Sequence, residues 1–249
     1  MARLQHAIKH NDFLLYSQEI VSISKKDALP HHELLIRLRD KEGQIIYPGA
    51  FLPAAEHYNL ASSLDLWVVE HVIHCLNESH QQGRDIAGIY GINLSGQSLG
   101  DKRFYESIIG KIKQNDLSHA GVHICFEITE TAAISNMDTA LYFINELRSL
   151  GCQFALDDFG SGLSSYAYLQ QLPIDYLKID GLFVKDCVRD KVKLEMIRSI
   201  NSVGHMMQLK TIAEFVESEE IFTLLGELSI DYAQGYWSGR PQPWQFSSQ

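Results

Sequence analysis

The stretch Phe154-Ala155-Leu156-Asp157-Asp158-Phe159-Gly160-Ser161-Gly162 runs apolar residues straight into two adjacent carboxylates and then into glycines. The pattern predicts a short buried strand whose end delivers paired acids to a tight loop. Neighbouring side chains on a strand diverge, so one Asp can point into a site while the other flanks it. Both reach a shared cation only where the backbone twists. The same residues also fit an Asx-rich turn after a strand, and the pair alone does not decide between the two readings.

Further polar residues fall at the ends of other apolar runs: Glu33 and Arg37, Asn93, Glu127, Lys178, Glu214 and Gln234. If one mouth gathers Glu33, Asn93, Glu127, Asp157, Asp158 and Glu214, the acids repel strongly unless cations sit among them. Oxygen-only donors favour hard ions such as Mg²⁺ or Mn²⁺ over zinc. A bridging Asp with further oxygens suits a pair of ions, which lowers the pKa of bound water and polarises a phosphoryl oxygen. Lys178 would then face the developing phosphorane or position the attacking water, and Arg37 could hold a phosphate oxygen. Taken singly, each residue is more readily a salt bridge or cap at a strand end; taken jointly, they are hard to explain that way.

Other chemistries have less support. The eleven histidines show no metal-ligand spacing beyond His31-His32 and His71-x-x-His74, and the latter pair fits ordinary helix packing or surface. Ser161, Ser164 and Ser165 lack a positioned His, so nothing points to a serine hydrolase. Trp67, Trp237 and Trp244 read as core or rim aromatics; Tyr236 and Trp237 fit base stacking or core packing equally.

These residues need elements to hold them. Helix is expected over 2–10, strand over Phe13–Val21, and a turn at Lys25-Lys26-Asp27. His32–Arg39 alternates polar and apolar, placing Glu33, Leu35 and Arg37 on one face and Leu34, Ile36 and Leu38 on the other. Pro48 opens a helix reaching about His57, and a longer helix runs from Ser62 to near Asn77. Strand Ile86–Leu94, helix 102–114, strand Val122–Ile128 and helix 138–150 follow. Strand 174–180, helix 190–207, strand Leu209–Ala213, helix 217–226 and strand Tyr232–Gly235 complete the pattern. Alternating strand and helix point to a (β/α)8 barrel or a doubly wound sheet. Polar residues spread over many strand ends favour the barrel, because a wound sheet gathers its ligands at one switch point. No Gly-x-Gly-x-x-Gly dinucleotide fingerprint is present.

The 249 residues suffice for one barrel, and 45% hydrophobic content provides a large core. With 31 acids against 21 bases, the net charge of −10 disfavours a nucleic-acid polymer as partner. Cys75, Cys125, Cys152 and Cys187 lack Cys-x-x-Cys spacing and read as reduced core residues of a cytoplasmic protein. No apolar run approaches the ~20 residues of a membrane span, and the first residues are no signal peptide. The opening amphipathic helix suggests one domain taken from a longer polypeptide.

Seven motifs now stand in order: Glu33-Leu34-Leu35-x-Arg37, Asn93-Leu94-Ser95, Glu127-Ile128-Thr129-Glu130, Asp157-Asp158-Phe159-Gly160-Ser161-Gly162, Lys178-Ile179-Asp180, Ala213-Glu214-Phe215-Val216-Glu217 and Gln234-Gly235-Tyr236. Over essentially the whole chain they resemble the EAL-domain family of cyclic di-GMP phosphodiesterases. The resemblance implies a modified (β/α)8 TIM-like barrel with one antiparallel strand, and hydrolysis of one phosphodiester bond of cyclic di-GMP to linear pGpG with two ions, Mg²⁺ or Mn²⁺. It implies Glu33, Asn93, Glu127 and Asp157 as ligands of one ion, with Asp157, Asp158 and Glu217 serving the second. Lys178 and Glu214 match the pair that orders or deprotonates the attacking water. Arg37 matches a phosphate contact, and Gln18 and Gln234 match polar residues near ligand and metals. Glu130 matches the residue that steadies the loop after Asp158. A homodimer, a sensor or cyclase domain elsewhere in the full-length chain, and a cytoplasmic location (even if membrane-anchored) are further implications.

The chain departs from the family pattern at Leu34, Ser161, Phe215 and Glu19. Of these, Phe215, standing where Gly is usual, bears most on activity. The alternative is a catalytically silent cyclic di-GMP receptor, although every acid and the Lys are in place.

Overall fold

The computed structural model describes residues 2–24, 29–115, 117–135, 137–160 and 166–246. The chain opens with helix α1 (Ala2–His10) and the long strands β1 (Phe13–Ser22) and β2 (His31–Arg39). Short β3 (Ile45–Ile46) leads to α2 (Leu52–His57) and α3 (Ala61–Gln81). Then come β4 (Gly88–Leu94), α4 (Gly96–Gly100), α5 (Lys102–Gln114), β5 (Val122–Thr129), α6 (Glu130–Ser135), α7 (Met137–Arg148) and β6 (Gln153–Phe159). The last third holds α8 (Tyr166–Leu169), β7 (Tyr176–Ile179), α9 (Gly181–Val184), α10 (Lys191–Met206), β8 (Lys210–Ala213), α11 (Glu219–Glu227), β9 (Tyr232–Gln234) and β10 (Gln242–Pro243). Among the described residues, no helix is long and apolar enough to cross a membrane.

A closed barrel of eight strands runs β1-β9-β8-β7-β6-β5-β4-β2 and back to β1. Neighbours are parallel except around β1, which runs antiparallel to both β2 and β9. The expected modified (β/α)8 barrel is therefore what the chain builds. The reversal follows from connection length. A parallel crossover takes roughly a dozen residues, and the link from Ser22 to His31 is too short for one. The expected turn at Lys25-Lys26-Asp27 lies outside the described residues.

Outside the strands, apolar faces pack on the helix ring; the rings of Phe126 and Phe154, for example, lie 5.6 Å apart beneath Phe143 of α7. Inside, the barrel is divided into two layers. Ile20, Ile89, Cys125, Ala155, Tyr176 and Ile212 plug one end. Two residues further along the parallel strands come the polar groups: Glu127 after Cys125, Asp157 after Ala155, Lys178 after Tyr176, Glu214 after Ile212. Period two keeps each pair on one face, so the plug residue fixes where its polar partner points. On the reversed β1 the order inverts, and Gln18 precedes Ile20.

Several boundaries differ from expectation for local reasons. α11 starts at Glu219, because the Ser218 side chain accepts the Ile221 N–H and caps it; Glu217 is left in the preceding loop. β7 starts at Tyr176, because Asp175 turns its carboxylate to the Phe154 N–H and to Arg148. α4, α6, α8 and α9 are additional short helices. All four cysteines are buried.

Asp231 braces the end of the barrel away from the acids. It accepts bonds from His205 Nε2 (2.9 Å), Lys210 Nζ (2.9 Å) and the Thr211 N–H (3.0 Å). Burial would raise its carboxyl, but these donors outweigh burial and hold the pKa below the ordinary value. Asp231→Ala should cost about 2 kcal/mol, or roughly 4–8 °C in melting temperature, while leaving the mouth intact. Stability from a depressed carboxyl is present above the free-Asp pKa of about 3.9 and lost as pH falls through the folded value. The gap between wild type and variant should therefore be constant near neutrality and close on acidification. A pH series of thermal melts checks this; an unchanged gap at the lowest pH would contradict it.

Candidate active site at the barrel mouth

Lys178 is completely buried, and its ammonium sits at the centre of the polar layer. Nζ lies 2.6 Å from Glu127 Oε2, 3.0 Å from Asp157 Oδ1, 3.0 Å from Glu214 Oε1 and 3.7 Å from Glu33 Oε2. These carboxylates come from β2, β5, β6 and the end of β8, so only barrel closure brings them together. Burial would push the lysine's pKa down, but the surrounding acids outweigh it and hold it well above the ordinary value.

One ammonium does not balance four acids, and the imbalance is distributed unequally. Burial, with the charges of Glu33 and Asp157 adding to it, holds the Glu127 carboxyl well above its usual range against the pull of Lys178. Burial likewise pushes Glu214 up to about 8. Glu33 goes the other way. Burial would raise it, but Lys178, the Gln234 amide and the Asn93 amide together hold its pKa below the ordinary value. Asn93 Nδ2 donates to Glu33 Oε1 at 2.6 Å and Gln234 Nε2 to Glu33 Oε2 at 2.5 Å. Gln18 accepts from Gln234 at 3.3 Å and donates to the Gly239 carbonyl at 3.0 Å. Gly91 makes room for Glu127, since a Cβ there would run into its carboxylate.

Asp157 and Asp158 divide as the strand pattern predicts, with one addition. The register between β6 and β7 shifts between Leu156 and Phe159. Asp158 sits at φ +55, its N–H bonded to Asp157 Oδ1 at 3.0 Å. An irregularity of this kind re-aims a side chain. Oxygens of Asp157, Asp158 and Glu214 consequently lie within 4.8 Å of one another. Burial and the Asp157 charge raise the Asp158 carboxyl. Buried Glu130, at the start of α6, accepts the Gly160 N–H at 3.1 Å and so ties down the chain just after the acids. Ser161, Gly162, Ser164 and Ser165 lie outside the described residues.

A cleft of about 450 Å³ opens beside this cluster, lined by Gln18, Glu33, Arg37, Glu214, Glu217 and Tyr236 among others. Glu217 is exposed on its wall, apart from the Lys178 cluster. Glu33 is not at a strand terminus as the sequence pattern suggests; it is the third residue of β2. Strand stagger in the barrel brings it level with the ends of its neighbours. Leu34 points into the hydrophobic core, away from the acids.

Phe215 adopts φ +53, a backbone that explains why glycine is usual there. Its ring, 49% exposed, folds over Gly181, where any side chain would collide with it, and lies 4.1 Å from Lys185 Nζ. The bulk is thus accommodated on α9, and Glu214 keeps its 3.0 Å contact to Lys178.

Sequence reasoning missed Asp65 of α3. It is buried and accepts the Ser95 N–H at 2.8 Å and Ser98 Oγ at 2.6 Å, fixing the turn just beyond Asn93. The available signal was a charge on the apolar face of a helix. Trp67 and Trp244 are core residues, while Trp237 stacks on Phe222 at 4.1 Å near the rim.

A barrel with one reversed strand thus carries, at its mouth, a lysine ringed by oxygen donors from separate strands. The chain belongs to the EAL domain family, which matches residues 1–241. It is 41% identical over 241 residues to the cyclic di-GMP phosphodiesterase PdeB of Shewanella oneidensis, covering 97% of this chain and 28% of that protein. It is 37% identical over 243 residues to the cyclic di-GMP phosphodiesterase PdeF of Escherichia coli, covering 98% of this chain and 32% of that protein. The chain thus spans roughly a third of the length of these relatives. Among solved structures, the FimX EAL domain from Pseudomonas aeruginosa bound to c-di-GMP superposes with a TM-score of 0.87 at 30% identity, covering 97% of this chain and 95% of that one. The PaMucR phosphodiesterase in complex with c-di-GMP gives 0.86 at 28% identity, covering 97% and 96%.

Proposed function

We propose that this chain is a divalent-metal-dependent phosphodiesterase that opens one phosphodiester bond of cyclic di-GMP to give linear pGpG. The observation that carries the reading is the cluster at the mouth: Lys178 is in contact with Glu33, Glu127, Asp157 and Glu214, and the Asn93 and Gln234 amides bond Glu33. The donor set fits Mg²⁺ or Mn²⁺, because it is all oxygen and holds more negative charge than its single ammonium compensates. Glu33, Asn93, Glu127 and Asp157 would hold one ion, and Asp157, Asp158 and Glu217 the second. When bound, such ions polarise the phosphoryl group and acidify water.

The chain's own groups have separable tasks. Arg37 lines the cleft and meets a phosphate oxygen with a fixed planar cation. Asn93 and Gln234 hold the Glu33 carboxylate in one orientation, and Gln18 in turn bonds the Gln234 amide. Glu214, which lines the cleft with one oxygen 3.0 Å from Lys178 Nζ, is placed to accept a proton from the attacking water. Lys178 sets the Glu214 oxygen in place, and the pair would order the attacking water. Glu130, through the Gly160 N–H, keeps Asp157 and Asp158 from drifting apart. A cytoplasmic homodimer attached to a sensor or cyclase domain completes the proposal.

The test is direct. Purified protein with Mg²⁺ or Mn²⁺ should convert cyclic di-GMP to pGpG, and a chelator should stop it. Binding without turnover under either ion would overturn the enzymatic reading in favour of a receptor.

A further inference from the structure

Arg37 has an unusual environment for a cation. It is only 5% exposed, yet among the described residues no carboxylate lies within ion-pair distance of it. Nη1 donates to the Ile36 carbonyl at 2.8 Å, and Nε is buried without a partner. What faces the guanidinium instead is aromatic. The Tyr16 ring lies 5.2 Å and the Tyr47 ring 5.1 Å from Cζ. Tyr16 belongs to β1, which pairs with one edge of β2. Tyr47 directly follows β3, which pairs with the other edge beyond the end of β4. The two rings therefore arrive from opposite edges of the strand that carries Arg37. Tyr47 is 66% exposed, so its position over the cation is not forced by core packing.

We infer that Tyr47, together with Tyr16, is a positioning residue that restrains Arg37 so that the guanidinium offers its hydrogen-bonding edge to an anionic phosphate oxygen in the cleft. Aromatic faces attract a guanidinium through their quadrupole and leave its in-plane N–H groups free. With Nη1 bonded to the Ile36 carbonyl and Nε buried, the remaining N–H groups of a cation restrained in this way are those left for a phosphodiester oxygen in the cleft. An acid in place of the rings would neutralise the cation and compete with the phosphate for the same N–H groups. This inference rests on the substrate proposed above.

The experiment compares Tyr47→Ala, Tyr47→Leu and Tyr47→Phe in turnover of cyclic di-GMP and in its binding at equilibrium. Tyr47→Ala should raise KM about five- to tenfold, with kcat changed less than twofold, because orientation of one contact is lost and the cluster of acids around Lys178 is untouched. Tyr47→Phe, which keeps the ring, should restore KM to within twofold of wild type. Tyr47→Leu, which keeps apolar cover without a quadrupole, should behave like the alanine variant. Melting temperatures should agree within about 2 °C, as expected for an exposed side chain. Leucine matching wild type would overturn the clamp in favour of simple covering, and so would an unaltered KM in the alanine variant. If wild type itself bound no cyclic di-GMP, the substrate reading would fall and this inference with it; if wild type binds and the variants do not differ, only the clamp falls.

Discussion

Lys178→Met is expected to lower the stability of the protein in chelator by about 3–5 kcal/mol and to reduce turnover by at least 10²-fold. The reasoning starts from charge. Lys178 Nζ is the only ammonium against Glu127, Asp157, Glu214 and Glu33 among the described residues, all within 3.7 Å. Removing it leaves buried acids facing one another in a medium where water no longer screens them, which is far costlier than losing a surface pair. Glu127 and Glu214, already raised by burial, should take up protons first. The melting temperature in chelator should fall by on the order of 10 °C. Added Mn²⁺ should then raise it more in the variant than in wild type, since a divalent ion replaces the missing countercharge. Thermal melts with chelator and with Mn²⁺ read both effects, and an unchanged melt in chelator would show that the ammonium is not what holds the acids together.

Why this centre was only partly legible beforehand is a matter of range. The alternation in His32–Arg39 gave the correct inward face for Glu33 and Arg37, because period two is a local property. Height in the barrel is not local. Glu33 is near the start of β2, and it meets residues near the ends of β5 and β6 only because tilted strands are staggered on closure. For the same reason Lys178 read as a charge facing substrate, whereas its nearest partners are the acids themselves. The reversed sense of β1 leaves no mark on its own residues; resemblance supplied it, and the short link to β2 explains it. Helices α8 and α9, of four residues each, complete about one turn and cannot display a 3.6-residue period. Gln18 and Glu130 carry no signal apart from the family pattern. Tyr47 carries none at all, because its role depends on which edge of β2 the chain returns to.

Glu33→Gln separates catalysis from mere binding more sharply than any other single change at this mouth. Both oxygens of Glu33 accept hydrogen bonds, one from the Asn93 amide and the other from the Gln234 amide, with Lys178 3.7 Å away. Burial disfavours the charge on Glu33, but Lys178 and the two amide donors favour the anion and outweigh it. Glutamine has the same shape but replaces one acceptor with an NH₂, which must confront an amide donor or force one of the two to rotate. The strain is local, since Glu33 packs at the mouth and its neighbours Leu34 and Leu38 keep their places in the core. The fold should therefore persist, with a melting temperature in the presence of metal within a few degrees of wild type. Turnover should collapse by roughly 10³-fold, because a hard-ion ligand and a full charge are lost together. Affinity for cyclic di-GMP, which the proposed function assigns to Arg37 and the cleft walls, should change far less. A receptor would give a different result: wild type and Glu33→Gln would share the same negligible turnover. Steady-state kinetics beside calorimetric titration of the nucleotide distinguishes these outcomes, and a Glu33→Gln variant that turned over within tenfold of wild type would remove Glu33 from the set of ion ligands.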